Sequence, residues 1–227
     1  QKVEQEAEQD ADGGDHRLAV VLELSVHSAI LERFAAPRPR LVLAAMTIWE
    51  DIAAERRANA DVLESLTETQ WQTQSLCGDW TIRDLAGHLV VPFRVGLPAF
   101  GLAMARARGS FDKANSTLAR AQGRRPTAEL VADLRNNAES HFTPPGQGPL
   151  APLTDALVHG QDLRIPLGIN DTRDPETWRQ TLDFLVSPAA RAGFTGRHGI
   201  PEVALVATDL DWHHGEGPQV SGAAYAI

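Results

Sequence analysis

A chain of 227 residues with 43% apolar and 22% charged side chains suits one globular domain with a modest appendage. Its net charge of -9 excludes a nucleic-acid partner, because phosphate contacts run on clustered Lys and Arg. The single cysteine, Cys77, excludes an internal disulfide and a thiolate zinc finger; a bound metal would have to use His and carboxylates, and a reducing cytoplasm is the compartment that fits.

Residues 1–45 open with an acidic low-complexity tract and end in Pro37-Arg38-Pro39-Arg40. They read as an N-terminal extension, disordered or non-native, with Met46 as the natural initiator. The competing reading is a flexible arm with one amphipathic helix near residues 17–35. The apolar stretch 18–30 is interrupted by Glu23 and His27 and followed by Glu32 and Arg33, too short and too charged to span a membrane.

From Thr47 the pattern turns helical. Ile48, Trp49, Ile52, Ala53, Leu63 and Leu66 recur near helical spacing, with Glu50, Asp51, Glu55, Arg56 and Arg57 opposite. A polar link carrying Trp71 leads to Cys77-Gly78-Asp79-Trp80. Thr81 then caps a second helix, with Asp84 as its capping-box partner. That helix reads Ile82, Leu85, Ala86, His88, Leu89 and Val90, and Pro92 predicts a kink or break. Further helices are predicted over residues 94–108, 111–122 and 126–140. A Pro/Gly-rich loop over 143–149 then precedes a buried helix over 150–163, and another helix covers 175–185. After Gly199 the period changes, and Val203, Leu205 and Val206 read as a strand before a turn at 208–212. The expected organisation is a helical bundle over 46–168 and a partial α/β region over 169–227.

Asp155 and His159 lie four apart in the 150–163 helix, so both side chains sit on one face, one turn apart, and can converge on one ion. A third ligand must come from elsewhere. His88, between Leu85 and Leu89 on an inward face, is the candidate. Two imidazoles and one carboxylate leave a coordination position open, the pattern of catalytic zinc. The plainer readings are a surface or helix hydrogen-bonded pair for Asp155 and His159, and a satisfied core histidine for His88. Asp162 and Arg164 are weaker candidates, to orient His159 or receive a carboxylate, against a structural ion pair closing the helix. His213 and His214 are adjacent in a strand and point to opposite faces. His141 reads as surface, and Cys77 as packed beneath Trp80.

The stretch from Ser75 through Cys77-Gly78-Asp79-Trp80-Thr81 to Gly87-His88-Leu89 resembles a signature of the mycothiol-dependent maleylpyruvate isomerase family, within the DinB-like group of metal-binding bundles. Asp155-Ala156-Leu157-Val158-His159-Gly160-Gln161-Asp162-Leu163-Arg164-Ile165-Pro166-Leu167-Gly168 is similar to its second signature. Thr208-Asp209-Leu210-Asp211-Trp212 with Gly215-Glu216-Gly217-Pro218 resembles the start of its small C-terminal part. The resemblance implies a mainly α protein: a DinB-like up-down four-helix bundle with a small α/β C-terminal part, here cut short. It also implies that His88, Asp155 and His159 occupy the metal-ligand places, with Asp155 where the family's isomerases carry Glu.

The function implied is a metal-dependent, thiol-cofactor-dependent isomerase or S-transferase. It would use a divalent metal (zinc), mycothiol as the low-molecular-weight thiol, and a small-molecule substrate. Two alternatives use the same residues: a non-catalytic metal-binding bundle that binds a small molecule or a partner, and zinc-dependent hydrolysis.

Overall fold

The computed structural model describes residues 47–170, 173–196 and 198–227; the reading of residues 1–45 lies outside these. Helix α1 (Ile48–Glu64) starts in a capping box in which the Thr47 hydroxyl accepts from the Glu50 amide and the Glu50 carboxylate accepts from Thr47. Its buried positions include Ile52, Arg56, Asn59, Ala60 and Leu63, the three-to-four spacing that gives a helix one inward face. A single turn, α2 (Glu68–Trp71), capped by Thr67 and Gln70, takes Trp71 into the core.

Helix α3 (Ile82–Arg94) begins in the expected Thr81–Asp84 capping box. It does not break at Pro92 but runs two residues further, to Arg94, before Val95 turns extended. Proline here removes only the hydrogen bond to the carbonyl of residue 88, and with two residues left the turn can close without it. Helices α4 (Leu97–Arg106) and α5 (Phe111–Gly123) follow and pack on each other, although α4 buries none of its residues. Helix α6 (Thr127–Asn136) stops well short of 140. The buried Arg56 guanidinium draws the chain beyond it into a turn, donating from Nη1 to the carbonyls of Asn137 (3.4 Å), Ala138 (3.0 Å) and Ser140 (2.6 Å). Helix α7 (Leu150–Arg164) passes into a 3-10 turn, Ile165–Leu167, that ends at Gly168 in the left-handed region.

The bundle forms because α1 packs against α6 and α7, while α3 packs against α5, α6 and α7. One core cluster joins Ala60 and Leu63 to Ile82, Ala86, Leu89, Val90, Leu130 and Leu134. Each large side chain taken wholly from water there contributes about 1.5–3 kcal/mol. A second cluster joins Ile52, Leu153 and Leu157 to Trp178, Leu182, Leu205, Ala207 and Trp212, so the C-terminal region packs on the outer face of α1 and α7. That region holds a 3-10 turn (Pro175–Trp178) running into α8 (Arg179–Leu185) and three short strands, β1 (Ala204–Ala207), β2 (His213–His214) and β3 (Gln219–Gly222). The strand order is β2-β1-β3, antiparallel in the first pair and parallel in the second. The architecture is thus mainly helical with a small α/β part, as read from the sequence.

Candidate metal centre

Two helix contacts set the position of the site. A Cβ added to Gly87 would stand 2.2 Å from the Ala119 carbonyl oxygen and 2.5 Å from the Gly123 amide nitrogen, so α3 and α5 meet backbone to backbone one residue before His88. A Cβ on Gly160 would lie 2.8 Å from both Asn59 Oδ1 and Arg164 Nη1, so α7 presses on α1 one residue after His159. Each histidine is therefore anchored by a glycine at which two helices close.

His88 of α3 and Asp155 and His159 of α7 come together. His88 Nε2 lies 3.3 Å and His159 Nε2 3.5 Å from the same Asp155 oxygen, Oδ1. The imidazole rings meet edge to face with centroids 4.8 Å apart, and one donor atom from each of the three residues lies within 4.8 Å of the others. Bonds of about 2.0–2.2 Å to a tetrahedral ion would set neighbouring donors about 3.3–3.5 Å apart. The 3.3 and 3.5 Å separations match those edges, and the donor set suits zinc.

The outer ring nitrogens are also held. His88 Nδ1 lies 3.0 Å from Asn115 Oδ1 on α5, and His159 Nδ1 lies 2.8 Å from Asp162 Oδ2. Each oxygen is placed to accept a hydrogen bond from Nδ1–H. His88 Nε2 hydrogen-bonds Asp155 when no ion is bound; with an ion present the deprotonated Nε2 would ligate, the usual arrangement behind ligating histidines. Trp80 packs against the His88 ring at 5.2 Å, and its indole N–H donates to Ser116 Oγ at 3.0 Å.

Burial, the largest influence on Asp155, would raise its pKa. The His88 hydrogen bond and the charges of His88, His159 and Arg56 outweigh it and hold the carboxyl down at about 2. For His159 burial works toward a lower pKa, but the Asp162 hydrogen bond and the Asp155 and Asp162 charges raise the net value above the ordinary one. The side chains of His88 and His159 are 14% and 16% exposed and that of Asp155 33%, so the site opens to solvent over the carboxylate.

Arg164 is buried and reaches α1. Its Nη1 donates to Asn59 Oδ1 (2.6 Å) and to the Gly160 carbonyl (2.8 Å), and its Nη2 to the Ala58 carbonyl (3.1 Å). That arrangement locks α1 and α7 together. His141 is exposed and stacks on Trp49 at 4.1 Å; His213 and His214 are both exposed on β2. Asn115 and Arg56 were not singled out from the sequence. The one signal for Asn115 is its place on α5 beside buried Ala114 and four residues before buried Ala119.

Comparison with known families adds one finding. Residues 52–143 match the mycothiol maleylpyruvate isomerase N-terminal domain. The family resemblance read from the sequence is upheld over that span, which contains Arg56, Trp80, His88 and Asn115. Asp155 and His159 lie beyond it, on the helix that closes the bundle. Comparison with curated proteins and with solved structures gives no match. Among the described residues, no helix is long and apolar enough to cross a membrane.

Proposed function

We propose that this protein is a metal-dependent, thiol-cofactor-dependent isomerase or S-transferase of the maleylpyruvate isomerase type, in which His88, Asp155 and His159 hold a zinc ion and mycothiol is the thiol. The observation that carries the reading is the approach of two imidazole Nε2 atoms to one Asp155 oxygen at 3.3 and 3.5 Å, in a chain whose residues 52–143 match that family's N-terminal domain.

A divalent ion held there supplies a Lewis acid that favours the thiolate form of a bound thiol at neutral pH. The protein's own groups prepare the place. Asn115 and Asp162 hold the Nδ1 protons of His88 and His159, so both rings present a basic Nε2. Asp155 stays ionised at neutral pH, and its exposed edge is the side from which a thiol and a small electrophile reach the centre. In the isomerase reading a bound thiol would supply reversible addition to an activated double bond, which lets that bond rotate and returns the thiol unchanged with no redox co-reactant. In the transferase reading the carbon–sulfur bond is kept. A reducing cytoplasm is the setting such chemistry requires, and the free thiol of Cys77 suits it.

Elemental analysis of purified protein beside His159→Ala and Asp155→Ala tests the centre: near-stoichiometric zinc in the parent, lost in both variants, is expected. Turnover should then require both metal and thiol, and turnover that survives removal of both overturns the proposal. Stoichiometric zinc without thiol-dependent turnover would identify a metal-binding module instead.

A further inference from the structure

His159 has a second side. Its Nε2 faces Asp155, while its Nδ1 lies 2.8 Å from Asp162 Oδ2. Cys77 stands close to this pair: one donor atom each from Cys77, His159 and Asp162 lie within 4.8 Å of one another. Among the described residues this group and the His88–Asp155–His159 group share His159 alone. We propose that the protein takes a second, thiophilic divalent cation here, held by Cys77 Sγ, the Nδ1 edge of His159 and the Asp162 carboxylate.

The donors sit on fixed elements. The Leu76 amide donates to the Asp162 carbonyl at 3.1 Å, tying the Cys77 loop to α7. The Cys77 amide donates to Ser75 Oγ at 3.1 Å, and Gln74 Nε2 donates to the Gly78 and Trp80 carbonyls, both at 2.8 Å. Gly78 makes the turn in the left-handed region, at φ 57°. Trp80, Leu85, Ala119 and Leu163 form an apolar wall beside the sulfur.

Charge points the same way. Burial first, then Asp162, Asp155 and Asp79, push the Cys77 thiol up to about 11. A partly buried thiol among carboxylates resists ionisation until a cation arrives, and a coordinating thiol is then deprotonated outright. Thiolate, imidazole and carboxylate together suit zinc, cobalt or cadmium rather than calcium or magnesium. One cysteine cannot build a thiolate finger, but it can supply one donor. Binding would displace the protons on Cys77 and on His159 Nδ1 into solvent.

This second site depends on the proposed first centre only through the shared His159 ring, and the test separates the two. The metal-free full chain is titrated with Co2+ and followed by absorption. Two bound equivalents are expected, one of them bringing a thiolate-to-cobalt charge-transfer band. Cys77→Ser should lose the band and one equivalent, Asp162→Asn should weaken the band-forming equivalent at least tenfold, and His88→Ala should keep the band and lose the other equivalent. If Cys77→Ser fails to fold by circular dichroism, Asp162→Asn carries the test. No band at saturation overturns the second site and leaves the first standing. A single band-forming equivalent that His88→Ala leaves intact upholds the thiol site and overturns the first.

Discussion

Gly87 of α3 meets the Ala119 carbonyl of α5 so closely that a Cβ at position 87 would stand 2.2 Å from that oxygen. The contact is backbone on backbone, so no side-chain rotation relieves it, and the next residue along is His88. Gly87→Ala should therefore push the two helices apart. Overpacking of this kind costs about 1–3 kcal/mol or more, and it should lower the urea midpoint and weaken metal binding together. An alanine variant with parental stability would show that the helices do not approach as described.

Among the described residues, Asn115 meets the site through a hydrogen bond with His88 Nδ1. Asn115→Ala should leave the fold intact and lower zinc affinity roughly 10–100-fold, the usual cost of losing the partner behind a ligating imidazole. A chelator competition measures it. Unchanged affinity would mean that His88 is not a ligand or needs no orienting.

The metal-free protein should show acid sensitivity traceable to Asp155. Its folded pKa is depressed to about 2 from an ordinary 3.8. The stability it contributes is therefore complete above about pH 4 and lost as pH falls toward 2. His159 works with the opposite sign, since its folded pKa is raised above 6.5; its contribution is complete below pH 6.5 and lost as pH rises through the raised value. Denaturant melts of Asp155→Asn should show a flatter profile between pH 4 and 2 than the parent. Parallel profiles would remove Asp155 from the account.

Cys77 should be slow to alkylate. A thiol pushed from 9.0 to about 11 carries roughly a hundredfold less thiolate at neutral pH than an ordinary one. Iodoacetamide labelling of the metal-free chain should be slow at pH 7.5 and accelerate about tenfold per pH unit toward pH 10. Labelling at the rate of a free thiol would contradict the buried, carboxylate-ringed setting.

Short-range physics made much of this protein legible from its residues alone. Thr81 and Asp84 announce the start of α3 because a capping box closes within one helical turn. Asp155 and His159 share a face because four residues make about one turn. Even the small strand region shows as a change of period after Gly199. Where local rules met competing packing, the reading slipped: the predicted helix over 126–140 ends at Asn136, where Arg56 from another helix takes the carbonyls beyond it.

Tertiary structure alone decided which faces meet. His88 and Asp155 are 67 positions apart, and their inward orientation is visible in sequence, but their 3.3 Å approach depends on glycines at 87 and 160 letting α3 and α7 settle against their neighbours. Asn115 behind His88, Arg56 beneath the turn after α6 and Cys77 beside Asp162 carry no sequence signal of their roles. Periodicity reports which side of a helix is apolar, whereas the neighbour that side will touch is set by the packing of the whole chain.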